Sequence, residues 1–443
     1  MTATDTIFLR QPFTNDTLPT PDVLISSSAR SRLAMLRLLS PLKCLGLGLL
    51  VTVAQVALAV AFSNPTAGSW TARYRTLVEH DSYWFANIIN RGYGTTLPPI
   101  AHKEMEVSNV AFFPAYPLLV EAIRRLARLN TYDALLVTAQ AATWAFWTYF
   151  FLFGERWKLS LPLQTFGALA IVAHPAAFYL VAGYSESLFL AALVGFMYWN
   201  TRSGRMARAL AVAHGIVLSA TRIVGLPCAA FPVVRVAFMK GWRRTESFRV
   251  VVARYRGPVL VMFLSMLGGI SFFIYCQARW GRWDIYMLTQ HAGWGIVPDY
   301  FAALRPGNFH WALPPYQDTS VVSQFTSAVA GGFFCAIAAV ELLAAILWRS
   351  GWQRRIGFYF CAAVIYYFSL AGVASVQMQS MLRYDLCVHA LVVLGLLHFL
   401  REFRVAPVFV RALAMGVAAV VFAAGLALQG YYVWNFTQGN WVA

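Results

Sequence analysis

The chain has 443 residues, of which 59% are hydrophobic and 12% charged, against about 25% charged in a soluble domain. That balance excludes a soluble enzyme and points to a polytopic membrane protein. The net charge of +17 does not call for a nucleic-acid partner, because the Lys and Arg lie between apolar runs, where they set membrane orientation.

Residues 1–40 are polar and rich in Ser, Thr and Pro, so a disordered cytoplasmic N-terminus without a cleavable signal peptide is expected. A transmembrane domain, 41–430, follows. Apolar runs of about 20 residues predict spans near 44–62, 134–153, 163–181, 186–200, 258–277, 325–348, 357–373, 385–400 and 408–428. The stretch 209–238 is long for one helix, and "TRIVGLP" (Thr221 to Pro227) interrupts it. Basic segments flank it on both sides, "TRSGRMAR" before and "KGWRRTESFRVVVARYR" after. It must therefore enter and leave on one side, as two short helices, 209–220 and 223–238, with Arg222 near the outer turn. This makes eleven spans, with the N-terminus inside and a C-terminal tail, 431–443, outside. About two thirds of the 35 Lys and Arg, but only about a third of the 18 Asp and Glu, then fall inside. The six cysteines (Cys44, Cys228, Cys276, Cys335, Cys361, Cys387) stand singly, which predicts packing residues and no disulfide framework.

Two outer loops, 63–133 and 278–324, are long, while the inner ones are short and basic. Long loops with their own aromatic and charged residues usually carry function, so chemistry is expected on the outer face. "HDSYWFANIINRGYG" (His80 to Gly94) predicts an amphipathic helix. Trp84, Phe85, Ile88 and Ile89 share one face, Asn87, Asn90 and Arg91 the other, and Gly92 or Gly94 ends it. It reads as a helix lying in the membrane surface with Asp81 in its first turn, where an acid also complements the helix dipole. "NVAFFPAYPLLVEAIRRLARL" (Asn109 to Leu129) predicts a second surface helix, with Val120, Ile123 and Leu126 opposite Arg124, Arg125 and Arg128.

Two surface helices after the first span, with an acid opening the first, resemble glycosyltransferases of the GT-C class. Five segments occur in order: the two above, "HPAAFYLVAGYSESLFL" (174–190), "SATRIVGLP" (219–227) and "QSMLRYDL" (379–386). Together they are similar to the GPI mannosyltransferase 2 (PIG-V type) family and its bacterial relatives, over roughly residues 80–400. The chain departs from that family at His80, where tryptophan is usual before the acid. The resemblance implies an all-α transmembrane bundle of GT-C type. It also implies transfer of a sugar, mannose first, from a polyprenyl-phosphate (dolichyl-phosphate-like) donor to a lipid-linked or surface glycan acceptor. Asp81 would be the general base that takes the acceptor proton, and cations would receive the departing phosphate. A single base and direct displacement imply inversion.

Arg222 and Arg383 are the candidates for the phosphate; each can also be read as an arginine snorkelling to the interface, and Arg383 as the partner of Asp385. Arg91 and Lys103 are further cations in the first loop. Glu186 either binds substrate or is the first-turn acid of a helix capped by Ser185. Glu104 and Glu106 can hold a sugar hydroxyl or simply be solvated; two acids are too few for a metal site, and neither metal nor cofactor is expected. His80 can touch the acceptor or tune Asp81, and Trp84 lies in the same helix. Trp280, Trp283, Tyr286 and Trp294 either stack on sugar rings or belong to the interfacial aromatic belt. Gln290 and Trp294 resemble a Gln-x-x-x-Trp element of the family.

The rival readings are a transporter or lipid flippase, which predicts internal repeats and charges near the bilayer midplane, a membrane scaffold, and a GT-C enzyme using another polyprenyl-linked sugar. A bacterial inner membrane is favoured, with the endoplasmic reticulum second and the active site on the non-cytoplasmic face. The sequon at Asn435 matters only in the second case.

Overall fold

A computed structural model describes residues 27–99, 108–240, 247–312, 319–348, 352–402 and 408–442. Among them are helices and turns and no strand. The chain divides into Met1–Leu42 and Lys43–Ala443. In the first unit residues 27–42 are helical, the opening of α1 (Ser27–Phe62), where a disordered arm was expected; residues 1–26 lie outside the described residues. The rest concerns the second unit.

After α1 come three short helices, α2 (Trp70–Arg75), α3 (Asp81–Arg91) and α4 (Ala115–Ala127), and then α5 (Thr131–Arg156). Next are α6 (Leu161–Val172), α7 (Glu186–Asn200), α8 (Arg205–Thr221), α9 (Gly225–Cys228) and α10 (Phe231–Lys240). They are followed by α11 (Phe248–Trp280), α12 (Ile285–Trp294), α13 (Thr319–Trp348), α14 (Ile356–Val373), α15 (Met381–Glu402) and α16 (Val408–Phe436). Seven of these, α1, α5, α11, α13, α14, α15 and α16, are long and apolar enough to cross a membrane, which marks the chain as an integral membrane protein.

The other four expected spans fall on shorter helices. The span expected at 163–181 is cut to the 12-residue α6, because Pro175 has no N–H to donate and disfavours the helical conformation at His174. Residues 173–185 run on as turns around one 3-10 turn, Ala177–Leu180, and are buried almost throughout. Irregular backbone at membrane depth persists only where protein encloses it. α7 is apolar all round and buried on every face from Glu186 to Tyr198, as a helix of the core rather than of the lipid boundary should be. The expected break at "TRIVGLP" is present: α8 ends at Thr221 and Arg222 is extended, with φ −152° and ψ 148°. The helix expected at 223–238 is itself split into α9 and α10.

Small residues bring α8 and α11 together. A Cβ on Gly268 would lie 2.0 Å from the Ile216 carbonyl oxygen, and one on Gly215 2.0 Å from Ser265 Oγ. At this contact Ser219 Oγ donates to the Ser265 carbonyl (2.6 Å) and accepts from the Gly269 N–H (3.0 Å). Close backbone approach and interhelical hydrogen bonds are the usual means of helix association in lipid. Here they fix the end of α8, and so the position of Arg222.

The apolar face of α3 was expected to rest in the membrane surface, but it packs on protein. Phe85 lies edge-on to Tyr116 (4.8 Å) and Phe112 (5.1 Å), and Trp84 lies 5.2 Å from Trp294 of α12. Gly92 ends the helix with φ 78°, a conformation only glycine takes without strain, and its N–H returns to the Ile88 carbonyl (2.8 Å). In α4, Val120 is buried against protein, while Leu126 is 88% exposed.

Candidate functional site

Four charged groups from distant parts of the sequence meet at one end of the bundle. Asp81 opens α3, Glu186 opens α7, Arg222 follows α8 and Arg383 lies in the first turn of α15. Arg383 Nη1 donates to Asp81 Oδ2 at 2.5 Å and lies 3.8 Å from Glu186 Oε1. Arg222 Nη2 donates to the same Glu186 oxygen at 3.0 Å. The order is therefore acid, arginine, acid, arginine, with no net charge. Charges withdrawn from water persist only with this kind of mutual compensation.

Local backbone holds each group. His80 sits at φ 51°, a left-handed turn that starts α3 abruptly. Ser82 Oγ donates to the Gly183 carbonyl (3.0 Å), and the Gly183 N–H donates to the Leu77 carbonyl (3.1 Å), so the start of α3 is tied to the "GYSES" turn before Glu186. A Cβ at Gly183 would meet Ser82 Oγ at 2.8 Å, which is why glycine stands there. Before Arg383 the chain turns through Gln377, Met378 and Ser380, all at positive φ, and Ser380 Oγ accepts from Arg383 Nη2 (2.9 Å).

Aromatic rings enclose the cations. Arg383 lies 5.3 Å from the Tyr184 ring, 5.5 Å from Trp441 and 5.7 Å from Tyr179; Arg222 lies 4.8 Å from Tyr384. The Tyr184 hydroxyl accepts from the Asp81 backbone N–H (3.4 Å). Four buried atoms here have no hydrogen-bond partner among the described residues: Arg383 Nε, Glu186 Oε2, Ser187 Oγ and Trp441 Nε1. A carboxylate beside two guanidiniums with unused donors can take a proton from one ligand and hold an anion of another.

Asp81, Glu186, Arg222 and Arg383 thus come together. Both arginines are enclosed in protein, with 14% and 5% of the Arg222 and Arg383 side chains exposed, and do not snorkel to an interface. Asp385 does not pair with Arg383; it accepts from Ser327 Oγ of α13 instead. His80 points towards the C-terminal residues, with Nε2 3.0 Å from the Asn440 carbonyl oxygen.

Other expected site residues lie elsewhere. Trp84 and Trp294 pack with Phe112 into a cluster that joins the two loops, and Gln290 Nε2 donates to the Ala111 carbonyl (3.0 Å). These contacts join the two loops. Arg91 is exposed in the last turn of α3, roughly 15 Å along the helix from Asp81. Lys103, Glu104 and Glu106 lie outside the described residues. Among the described residues no three His, Cys, Asp or Glu are placed to hold a metal ion.

Sequence reasoning missed Tyr179, Tyr184 and Trp441. The tyrosines lie in a segment already singled out around Glu186, whereas nothing local marks Trp441. No protein-family model matches the chain, and no curated protein is similar enough to match it.

Proposed function

We propose that the chain is a membrane glycosyltransferase of GT-C type. It moves a sugar, mannose in the first instance, from a polyprenyl-phosphate donor to a lipid-linked or surface glycan acceptor at the outer face. The observation that carries this reading is the joining of Asp81 to Arg383, and through Glu186 to Arg222. An inverting transfer needs one base for the acceptor hydroxyl and cations for the leaving phosphate, and these groups supply both. The sugar and the acceptor class follow from the family resemblance.

In this mechanism the donor phosphate engages Arg383 and Arg222 and draws Arg383 away from Asp81. The freed carboxylate accepts the proton of the acceptor hydroxyl as its oxygen bonds to the anomeric carbon. The bond from that carbon to the phosphate oxygen breaks on the opposite face, and both electrons leave with the polyprenyl phosphate. Glu186 keeps the two guanidiniums side by side without neutralising both.

The test is transfer by the purified protein in lipid, with labelled polyprenyl-phosphate mannose, glucose and arabinose offered together with a membrane glycolipid extract. Transfer from one donor, with an α-linked product from a β-linked donor, is the expected result. Absence of transfer from all three, with donor moved across a vesicle bilayer instead, would replace the reading with a transporter.

A further inference from the structure

The residues after α16 do not fray. Gly439 turns the chain at φ 79°, and the Asn440 N–H returns to the Asn435 carbonyl (3.1 Å). The segment is tied at three further points. The Asn64 N–H donates to Thr437 Oγ1 (3.0 Å), His80 Nε2 donates to the Asn440 carbonyl (3.0 Å), and Thr319 Oγ1 donates to the Trp441 carbonyl (3.0 Å). Val442 is buried. These bonds hold the segment, residues 437–442, against the rest of the bundle.

What it holds is the Trp441 ring, 5.1 Å from the His80 ring and 5.5 Å from the Arg383 guanidinium. The indole Nε1 is buried and finds no acceptor among the described residues, and neither does the neighbouring Arg383 Nε. Buried donors are rarely left unmade, and each that is asks for a cause. Indole and guanidinium can only donate, so two unmade donors on adjacent groups suit a ligand made of acceptors. A phosphate, with several anionic oxygens, has that chemistry; a sugar hydroxyl satisfies one such donor but brings its own proton to place.

We propose that Trp441 belongs to the donor-phosphate site: its indole N–H donates to an oxygen of the polyprenyl-linked phosphate held on Arg383, and His80 fixes the ring in place. This rests on the transferase reading and names a ligand contact within it. It also gives His80 a role. The residue before Asp81 is the support for a tryptophan that arrives from the other end of the chain.

The experiment measures equilibrium binding of polyprenyl phosphate, and of the uncharged polyprenol, to the full-length protein, for wild type, Trp441→Phe, Trp441→Ala and the control Trp434→Phe. Trp441→Phe keeps a ring over His80 and Arg383 and removes only the N–H. It is expected to weaken polyprenyl phosphate about 10-fold and leave polyprenol unchanged, with Trp441→Ala weaker still and Trp434→Phe like wild type. Equal affinity of Trp441→Phe and wild type for polyprenyl phosphate would overturn the assignment, as would an equal loss for polyprenol. So would a wild type that does not bind polyprenyl phosphate. A wild type that binds it but transfers no sugar would sink the transferase reading, while the comparison of variants still decides the role of Trp441.

Discussion

Arg383 lies between two acids, at 2.5 Å from Asp81 and 3.8 Å from Glu186. Glu186 is fully buried and, among the described residues, is the acid that pairs with Arg222. Glu186→Gln would leave a buried positive charge uncompensated, and a loss of about 3 kcal/mol in unfolding free energy is expected. Adding Arg222→Met to it should recover part of that loss, because the excess charge goes too; strictly additive losses in the double variant would show that the two residues are not coupled. Arg383→Lys keeps the charge but loses the fork that reaches Asp81 and Ser380 together, so it should lower transfer nearly as far as Arg383→Ala. At this scale much of the site was legible. An acid at a helix start, an arginine at a helix break and an arginine in "MLRYD" each stood out against apolar surroundings. Their mutual pairing was not legible, since Asp385 lies two residues from Arg383 and Asp81 lies 302 away.

The elements position these residues, and the α8–α11 contact is the most exposed to test. Gly268→Val would drive side-chain atoms into the Ile216 carbonyl and push the end of α8 away, so it should reduce both melting temperature and transfer. Gly416→Ala in α16 has open space around it and should leave both unchanged. In α4, hydrogen bonds from Arg124 and Arg125 hold the Glu121 carboxyl down at about 2, below its ordinary 4.5. Its contribution to stability is present above pH 4.5 and is lost as pH falls towards 2. The melting temperatures of wild type and Glu121→Gln should therefore converge by a small amount over that range. A gap that widens on acidification would contradict the pairing. Hydropathy located the long helices well, because a run of about 20 apolar residues has few other uses. It failed at 163–181, where the same apolar composition serves a buried irregular segment behind Pro175. It also misjudged α3, because an aromatic face suits a protein neighbour as well as a lipid one.

At the scale of the whole molecule, the charge-sorted topology and the contacts agree on which helix ends share a side. Asp81, Glu186, Arg222 and Arg383 meet at one end. At helix ends on the opposite side, Lys43 pairs with Glu155 and Arg156 bonds the Thr201 carbonyl. In a background without native cysteines, Thr96→Cys should react with an impermeant maleimide in intact cells, and Ser203→Cys only after permeabilisation; the reverse pattern would invert the orientation. The share of Trp441 in the site was hidden because it comes from residues beyond the segments that carry the family resemblance, and only folding brings the chain end over Arg383.

The most direct measurement compares sugar transfer from polyprenyl-phosphate mannose by wild type and Asp81→Asn under single-turnover conditions, with donor binding measured in parallel. Removing the base should slow transfer by about 100- to 10,000-fold. Donor affinity should be retained or improved, since Arg383 is then free for the phosphate. Transfer by Asp81→Asn at the wild-type rate would contradict the assignment of Asp81 as the base.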